Sequence, residues 1–371
     1  MELTGEFISS LDQVSAELWD SLTPNDYPFL RHAFLLGLEH TGCTTSDSGW
    51  QPCHLILRRG DDAVAVLPLY LKSHSYGEYV FDWSWADAWR SNGLSYYPKL
   101  VSAIPFTPAT GPRLCNSATL DEHETWEMAL EAIKQFAGRQ EISSWHLLFP
   151  TQAISDALLQ GGIHQRIGTQ FHWFNKDYED FDDFLASFNS RKRKALKKER
   201  RRVAEQGLEL RTLVGGEIGP QEWEQFHHFY QLTYAKRSGH GGYLSREFFT
   251  EVASRLEDQV IMVLAYHEGS AVAGALYFRG GNTLYGRYWG CAQEFDYLHF
   301  EACYYQGIEF CIANGLQRFD PGAQGEHKIQ RGFEPIPTYS NHWIAHSQLS
   351  EAVGDFTRRE KAHSDAYRRE A

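Results

Sequence analysis

No stretch of about eighteen apolar residues occurs in this 371-residue sequence, so nothing in it has the pattern of a membrane-spanning helix. The opening "MELTGEFISSLDQ" shows neither the basic segment nor the apolar core of a secretory leader. A soluble, cytoplasmic chain is the expectation. The six cysteines, at 43, 53, 115, 291, 303 and 311, form no C-x-x-C pair. Cys303 and Cys311 fall in an apolar helical pattern, so buried free thiols are expected. The 17 histidines are scattered, without H-E-x-x-H or paired Cys/His spacing, and no metal is expected. G-x-S-x-G, a Ser-His-Asp order and a Walker loop are also missing.

What is present is a globular composition, 42% hydrophobic and 14% aromatic, in a chain long enough for two domains. The formal net charge is −13, yet residues 191–202 of "SRKRKALKKERRRV" hold nine basic side chains and one acid, Glu199. That block is worth +8, which leaves −21 for the rest.

The pattern along the chain predicts mixed α and β structure. "PCHLILRR" (52–59) and "AVAVLPLYLK" (63–72) flank a "GDD" turn and read as a hairpin. "TWEMALEAIKQFAGR" (125–139) has helical spacing, "SSWHLLFP" (143–150) reads as a buried strand, and "FHWFN" (171–175) as a short aromatic one. The basic block predicts a helix over about 188–206, stopped by Gly207. A strand "LELRTLV", helices over about 220–237 and 245–257, a three-strand meander, a helix over about 299–314 and the strands "LQRFDPG" and "TYSNHWIAH" complete the second half. This is an α/β (α+β) unit around a largely antiparallel sheet. A similar order in the first half predicts two related domains, 1–178 and 179–371, meeting where the acidic "DYEDFDD" precedes the basic helix.

Three stretches carry a resemblance: "FNSRKRKALKKERRRVAEQGLEL", "GLQRFDPGAQGEHKIQRGFEPIPTYSNHW" and, in the first half, "PFTPATGPRL". Together they resemble the FemAB-like group of peptidoglycan-related acyltransferases within the GNAT superfamily, from about Pro28 to His346. The resemblance implies two tandem GNAT-like domains, each a mixed, largely antiparallel sheet flanked by helices. It implies an N-acyltransferase that moves an acyl or aminoacyl group onto an amine of a small molecule or peptide. Fem relatives take that group from aminoacyl-tRNA, and GNAT enzymes generally from acyl-coenzyme A. No tightly bound cofactor is expected. One departure concerns the donor. Coenzyme A is held in GNAT domains by a glycine-rich loop of the form [QR]-x-x-G-x-[GA], whose N–H groups cradle the pyrophosphate. The equivalent stretch here, "GCAQEFDYLHFEAC" (290–303), carries Glu294, Asp296 and Glu301 and no glycine after Gly290.

Candidate residues follow from local chemistry. "FDPGAQGEHKIQRGFEP" (319–335) puts polar groups at a strand's carboxyl end on a glycine-flanked turn. Lys328 and Arg331, with Gln324 and His327 on one helical face, would grip a phosphate or carboxylate. Glu326 or His327, with Asp320, would handle protons. The bland reading is a charged surface loop with internal ion pairs. In "TLYGRYWGCA" Arg287 lies mid-strand between Tyr285 and Trp289 and needs an acidic partner such as Asp320 or Glu301. Asp82, between Phe81 and Trp83, is read either as part of core filling or as a site acid in an apolar wall. The basic helix, through Arg191, Lys192, Arg193, Lys194, Lys197 and Lys198, is either a solvated face answered by acids such as Asp180, Asp182 and Asp183, or a docking surface for tRNA or an anionic membrane. A direct attack of an amine on a carbonyl needs no protein nucleophile. A non-catalytic binder of an anionic peptide or lipid-linked precursor is the alternative, separated by whether a proton-handling residue stands beside Arg287.

Overall fold

A computed structural model of the chain describes residues 3–323 and 325–370. Two compact units are formed. Unit 1 takes the chain up to Asn25, Phe29–Thr169 and everything from Pro337 onward; unit 2 takes Asp26–Pro28 and Gln170–Ile336.

In unit 1 the hairpin forms as expected, β3 (His54–Arg59) antiparallel to β4 (Asp62–Leu67), with Arg59 opposite Asp62. β1 (Leu3–Ile8) and β7 (Cys115–Asn116) flank it in the order β1-β3-β4-β7. The second sheet of the unit contains β2 (Trp50–Pro52), β5 (Tyr70–Lys72), β6 (Lys99–Ser102) and β8 (Ser144–Leu148). β6 and β8 run parallel, Leu100 beside Trp145. Between them the chain makes α4 (Glu122–Arg139), capped by the Asp121 carboxylate on the Glu124 N–H. Its Trp126, Ala129 and Ile133 reach the main apolar cluster with Leu55, Leu100 and Trp145. α1 (Ala16–Leu22), α2 (His32–His40) and α5 (Gln152–Gln160) complete the first half. A second cluster joins Trp85 and Trp89 of α3 (Trp83–Ser91) to Leu349 and Val353 of α11 (Ser347–Glu370). The sequence reading had assigned neither of those helices.

Unit 2 is built on the expected meander: β11 (Val260–His267), β12 (Ser270–Gly280) and β13 (Thr283–Cys291), with β10 (Leu208–Val214) outside β11. β14 (Arg318–Asp320) runs parallel to β13, and the end of β9 (His164–Phe174) pairs antiparallel to β14. α6 (Phe181–Ala186) and the basic α7 (Ser190–Glu205) precede β10, and α8 (Pro220–Ser238) packs on β12 and β13. The predicted helix at 245–257 is a π turn, Phe248–Val252, running into a 3-10 segment that Glu257 breaks at φ 47°. The predicted helix at 299–314 is interrupted too: α9 (Leu298–Phe300), a π turn over Glu301–Tyr305, then α10 (Gln306–Ala313).

The expected boundary at 178/179 shifts. Unit 2 begins at Gln170, part-way along β9, and β15 (Glu334–Ile344) returns the chain to unit 1, where Ser340–Ile344 pair with Leu148–Ser144. β9 and β15 are thus each divided between the two units, and the chain from Pro337 onward belongs to unit 1.

Gly290 marks the closest helix–sheet approach in unit 2. A Cβ there would lie 2.2 Å from the Phe229 carbonyl carbon and 2.4 Å from the Tyr230 nitrogen, both backbone of α8. Gly290→Ala therefore forces α8 off the sheet. A loss of about 2 kcal/mol or more is expected, read as a lower melting midpoint.

Candidate active site

β13 and β14 stay paired only from Thr283/Arg318 to Tyr285/Asp320. Beyond that point β13 continues alone against β12, and the two parallel strands part. Arg287 sits at the parting. Its Nη2 donates to Asp320 Oδ2 at 2.7 Å, and its Nη1 donates to Asp320 Oδ1, to the Asp320 carbonyl and to the Gly286 carbonyl. Both side chains are about 1% exposed. The acid partner expected for Arg287 is thus Asp320, and not Glu301, which is held by Arg200.

Burial alone would raise the Asp320 carboxyl, but Arg287 and then His172 outweigh it and hold the group well below the usual carboxylate range. Asp320 is held as an anion by its pairing with Arg287, an arrangement that does not favour the proton-handling role expected of it. His172 was missed by sequence reasoning. It lies on β9, fully buried, with Nε2 3.5 Å from Asp320 Oδ1 and 3.1 Å from Gln170 Oε1. Burial pushes its pKa to about 4, so the ring is neutral at pH 7. The only sequence signal was a histidine inside the aromatic strand "FHWFN".

After Asp320 the chain turns through Gly322, at φ 94°, whose N–H donates to Asp320 Oδ1. Lys328 comes back to that turn. Its Nζ donates to the Gly322 carbonyl at 2.8 Å, and the residue is 2% exposed. Burial brings its pKa down to about 8, against a pull upward from Asp320. Lys328 is thus a buried amine with a lowered pKa, tied to the turn that follows Asp320.

The remaining candidates separate. Residues Glu326–Arg331 form a 3-10 turn, and Gln324 lies outside the described residues. Glu326 and His327 are exposed; His327 Nε2 is 2.9 Å from the Tyr304 hydroxyl, with its pKa lowered by burial and then by Arg331 and Lys328. Arg331 does not reach out for an anion. Its Nη1 donates to the His327 carbonyl and its Nη2 to Glu199, and its guanidinium lies 3.5 Å from the Phe300 ring centroid. Tyr285 is buried against Tyr27, and Trp289 packs on His299. Asp82 belongs to unit 1 and sits in no apolar wall: Lys99 Nζ is 2.5 Å away. Burial would raise its carboxyl, but Lys99 and then His146 bring it down to about 2.

A family model described as peptidoglycan biosynthesis/recognition, FemAB_like, matches residues 10–371. The chain belongs to the FemAB-like family. No curated protein matches it in sequence. Three solved structures share the fold at low identity. They are the C-terminal domain of a putative lysylphosphatidylglycerol synthetase from Agrobacterium fabrum (TM-score 0.56, 10% identity, 94% of this chain and 97% of that one), FemX (0.53, 13%, 95% and 100%) and L-PGS from Bacillus licheniformis (0.51, 8%, 86% and 95%). The expected fold class, mixed α/β structure with sheets flanked by helices, is the one this FemAB-like chain adopts, in two compact units. Among the described residues no helix is long and apolar enough to cross a membrane.

The basic helix of the FemAB-like protein divides into two halves. Leu196 and Val203 anchor it, and Asn189 caps it by accepting the Lys192 N–H. Towards its C-terminus all cations but Lys198 meet an acid: Lys197 with Asp182, Arg200 with Glu301 and Glu309, Arg201 with Glu205, Arg202 with Asp296. Asp180 and Asp183 serve backbone N–H groups instead. Lys192 donates to the Ile329 carbonyl. Arg191, Arg193, Lys194 and Lys198 make no ion pair among the described residues; Arg191, Lys194 and Lys198 are exposed and Arg193 is partly buried. The reading of a face answered by acids fits the paired cations, Asp182 among their partners. The loop after Gly290 is less acidic in effect than in sequence, since Glu294 pairs with Lys236 and Asp296 with Arg202.

Lys328 carries a stability signature. Its folded pKa of about 8 lies below the ~10.4 of a free lysine. Between those values the unfolded chain binds more protons, so stability rises with pH across that window. Below it, the buried ammonium is a standing cost. Lys328→Met should melt at or above wild type at pH 7, and the gap should shrink as pH approaches 10 in melting scans.

Proposed function

We propose that this FemAB-like protein is an aminoacyltransferase, moving an aminoacyl group from its ester on tRNA to a primary amine of a peptidoglycan-related peptide, with the chemistry at Lys328. The observation that carries the reading is the buried Lys328 amine, near pKa 8, tied to the Asp320–Gly322 turn where β13 and β14 part. The acceptor amine attacks the ester carbonyl carbon, a C–N bond forms and the π electrons move to oxygen. Neutral Lys328 takes the proton released by the amine. On collapse the C–O bond to the ribose breaks, and Lys328 returns that proton to the leaving oxygen, so the amine acts first as base and then as acid. Asp320 and Arg287 position the turn.

Two features support tRNA over coenzyme A as donor. No glycine follows Gly290 in the loop where a pyrophosphate would rest. Four cations of α7, three of them in its N-terminal half, have no acidic partner among the described residues and are offered to a phosphate backbone. The binding-only alternative turns on whether a proton-handling residue stands beside Arg287, and the lowered pKa of Lys328 favours transfer; the anion grip expected of Arg331 is taken by Glu199.

The test is a mass-shift assay with charged tRNA pools or acyl-coenzyme A and a stem-peptide acceptor. Transfer from charged tRNA is expected, and kcat/KM should rise with pH to a plateau above about 8. Lys328→Met should lose at least about 100-fold. Transfer from acyl-coenzyme A alone, or full activity in the variant, rejects the proposal.

A separate measurement addresses the helix. Replacing Arg191, Arg193, Lys194 and Lys198 with Gln should weaken tRNA binding and flatten its log–log salt slope by roughly 0.7–0.9 per lost contact, with the melting midpoint unchanged or raised. The same change at Lys197, Arg200 and Arg202 should lower the midpoint instead.

A further inference from the structure

Residues 72–82 of unit 1, "KSHSYGEYVFD", are folded inside out. The formally charged side chains all point inward: Lys72, Glu78 and Asp82 are each no more than 3% exposed. The rings point outward: Tyr76 is 55% exposed, Phe81 58% and the adjoining Trp83 40%. Three of the most exposed large apolar side chains in the protein thus lie within eight residues. Tyr76 and Trp83 sit with ring centroids 5.1 Å apart.

This display is rigid. Lys99 Nζ, itself fully buried, donates to Ser75 Oγ (2.8 Å), Glu78 Oε2 (2.8 Å) and Asp82 Oδ2 (2.5 Å), which uses all three of its N–H bonds. The Tyr76 carbonyl accepts from Trp50 Nε1 and from Lys72 Nζ. The Phe81 carbonyl accepts from Arg166 Nη1 at 2.7 Å, and Tyr96 donates to Asp82 at 2.5 Å. Gly77, at φ 80°, leaves only 2.6 Å between a would-be Cβ and Phe106, so no other residue fits the turn. Burying several ions costs several kcal/mol each before pairing is counted, and a packed apolar network would hold a loop as well. Such an arrangement fixes which groups face out, at some expense of stability.

We infer that this loop is a docking element for the interfacial zone of a lipid bilayer, entered by Tyr76, Phe81 and Trp83. Tyrosine and tryptophan rings, apolar with one polar tip, favour the level of the lipid headgroups. The charged side chains of the loop all face inward, and two exposed ions of the adjoining α3, Asp87 and Arg90, pair with each other. A nucleic acid would find no cation there. A sugar would find rings but few side-chain partners for its hydroxyls, because the acids and the amines face inward. A few rings give weak, reversible partitioning that depends on apolar area, not on lipid charge.

The experiment uses the full chain and sedimenting vesicles of pure phosphatidylcholine, which the basic helix does not attract. Binding at millimolar lipid is expected, unchanged between low and high salt. Tyr76→Ser/Phe81→Ser/Trp83→Ser should cut the bound fraction about fivefold or more. Vesicles with brominated acyl chains should quench tryptophan emission, and Trp83→Phe should still bind while losing much of the quench; this conservative variant decides the matter should the triple variant melt early. No binding to phosphatidylcholine, a quench that survives Trp83→Phe, or binding that high salt abolishes overturns the inference. So does a concentration-dependent dimer that the triple variant dissolves, since the rings would then meet a second copy of the chain.

Discussion

The buried Arg287–Asp320 pair is the constraint on which the candidate site depends. Two ions taken from water are held only because the guanidinium meets the carboxylate with both terminal nitrogens and caps two carbonyls besides. Its place is where β13 and β14 diverge, a point at which backbone groups would otherwise lose their sheet partners. From there the geometry is handed on: Asp320 fixes the Gly322 N–H, and the Gly322 carbonyl fixes Lys328. An amine at 2% exposure holds its lowered pKa only while that turn keeps it dry. The stability forgone at the ion pair and the lysine is consistent with a site whose shape matters more than its contribution to folding.

Unit 1 buries charge with a different result. Lys72 and Lys99 are direct neighbours across β5 and β6, a like-charged pair that would repel without Glu78 and Asp82. Burial pulls Lys72 to about 7 and raises Glu78 to about 7, while Lys99 stays protonated between two acids. From Asp82 the network continues through Tyr96 to His146 and His342, whose Nδ1 atoms lie 2.7 Å apart, and on to Ser340. Burial holds both imidazoles neutral, so one Nδ1 donates to the other. Nothing in this chain of bonds opens to solvent. It acts on the loop above it.

Much of this was legible in the sequence where periodicity and turn chemistry agree. The hairpin at "GDD", α4, the basic helix and the meander all announce themselves locally. The domain boundary did not, because β9 and β15 are each divided between the two units, and a shared strand leaves no local signal. The π turn at Glu301–Tyr305 was read as plain helix, since one extra residue per turn barely changes an apolar pattern. Arg287 was legible as a cation needing an acid, and Asp320 was among its named partners. His172 was hidden by the aromatics around it, and Lys328 was assigned to an anion because burial cannot be read from a charged turn. Asp82 was noticed for its apolar neighbours, yet those neighbours face water and the acid does not.

The opening puzzle of composition resolves along the axis of α7. Cations in a first helical turn sit against the positive end of the helix dipole, at a cost of about 0.3–1 kcal/mol each, and no acid in that turn relieves Arg191, Lys192 and Arg193. In the last turns the same charges would be favoured by the dipole, and there each has an acidic partner as well. A helix selected only for stability would place its unpaired cations at the other end. Screening over about 8 Å hides the distant acids of a −13 protein from a ligand at the N-terminal half, so that half is locally cationic whatever the total. The sign, the position and the lack of acidic partners among the described residues together set this end of α7 apart from the paired end as a locally cationic surface that folding stability alone does not account for.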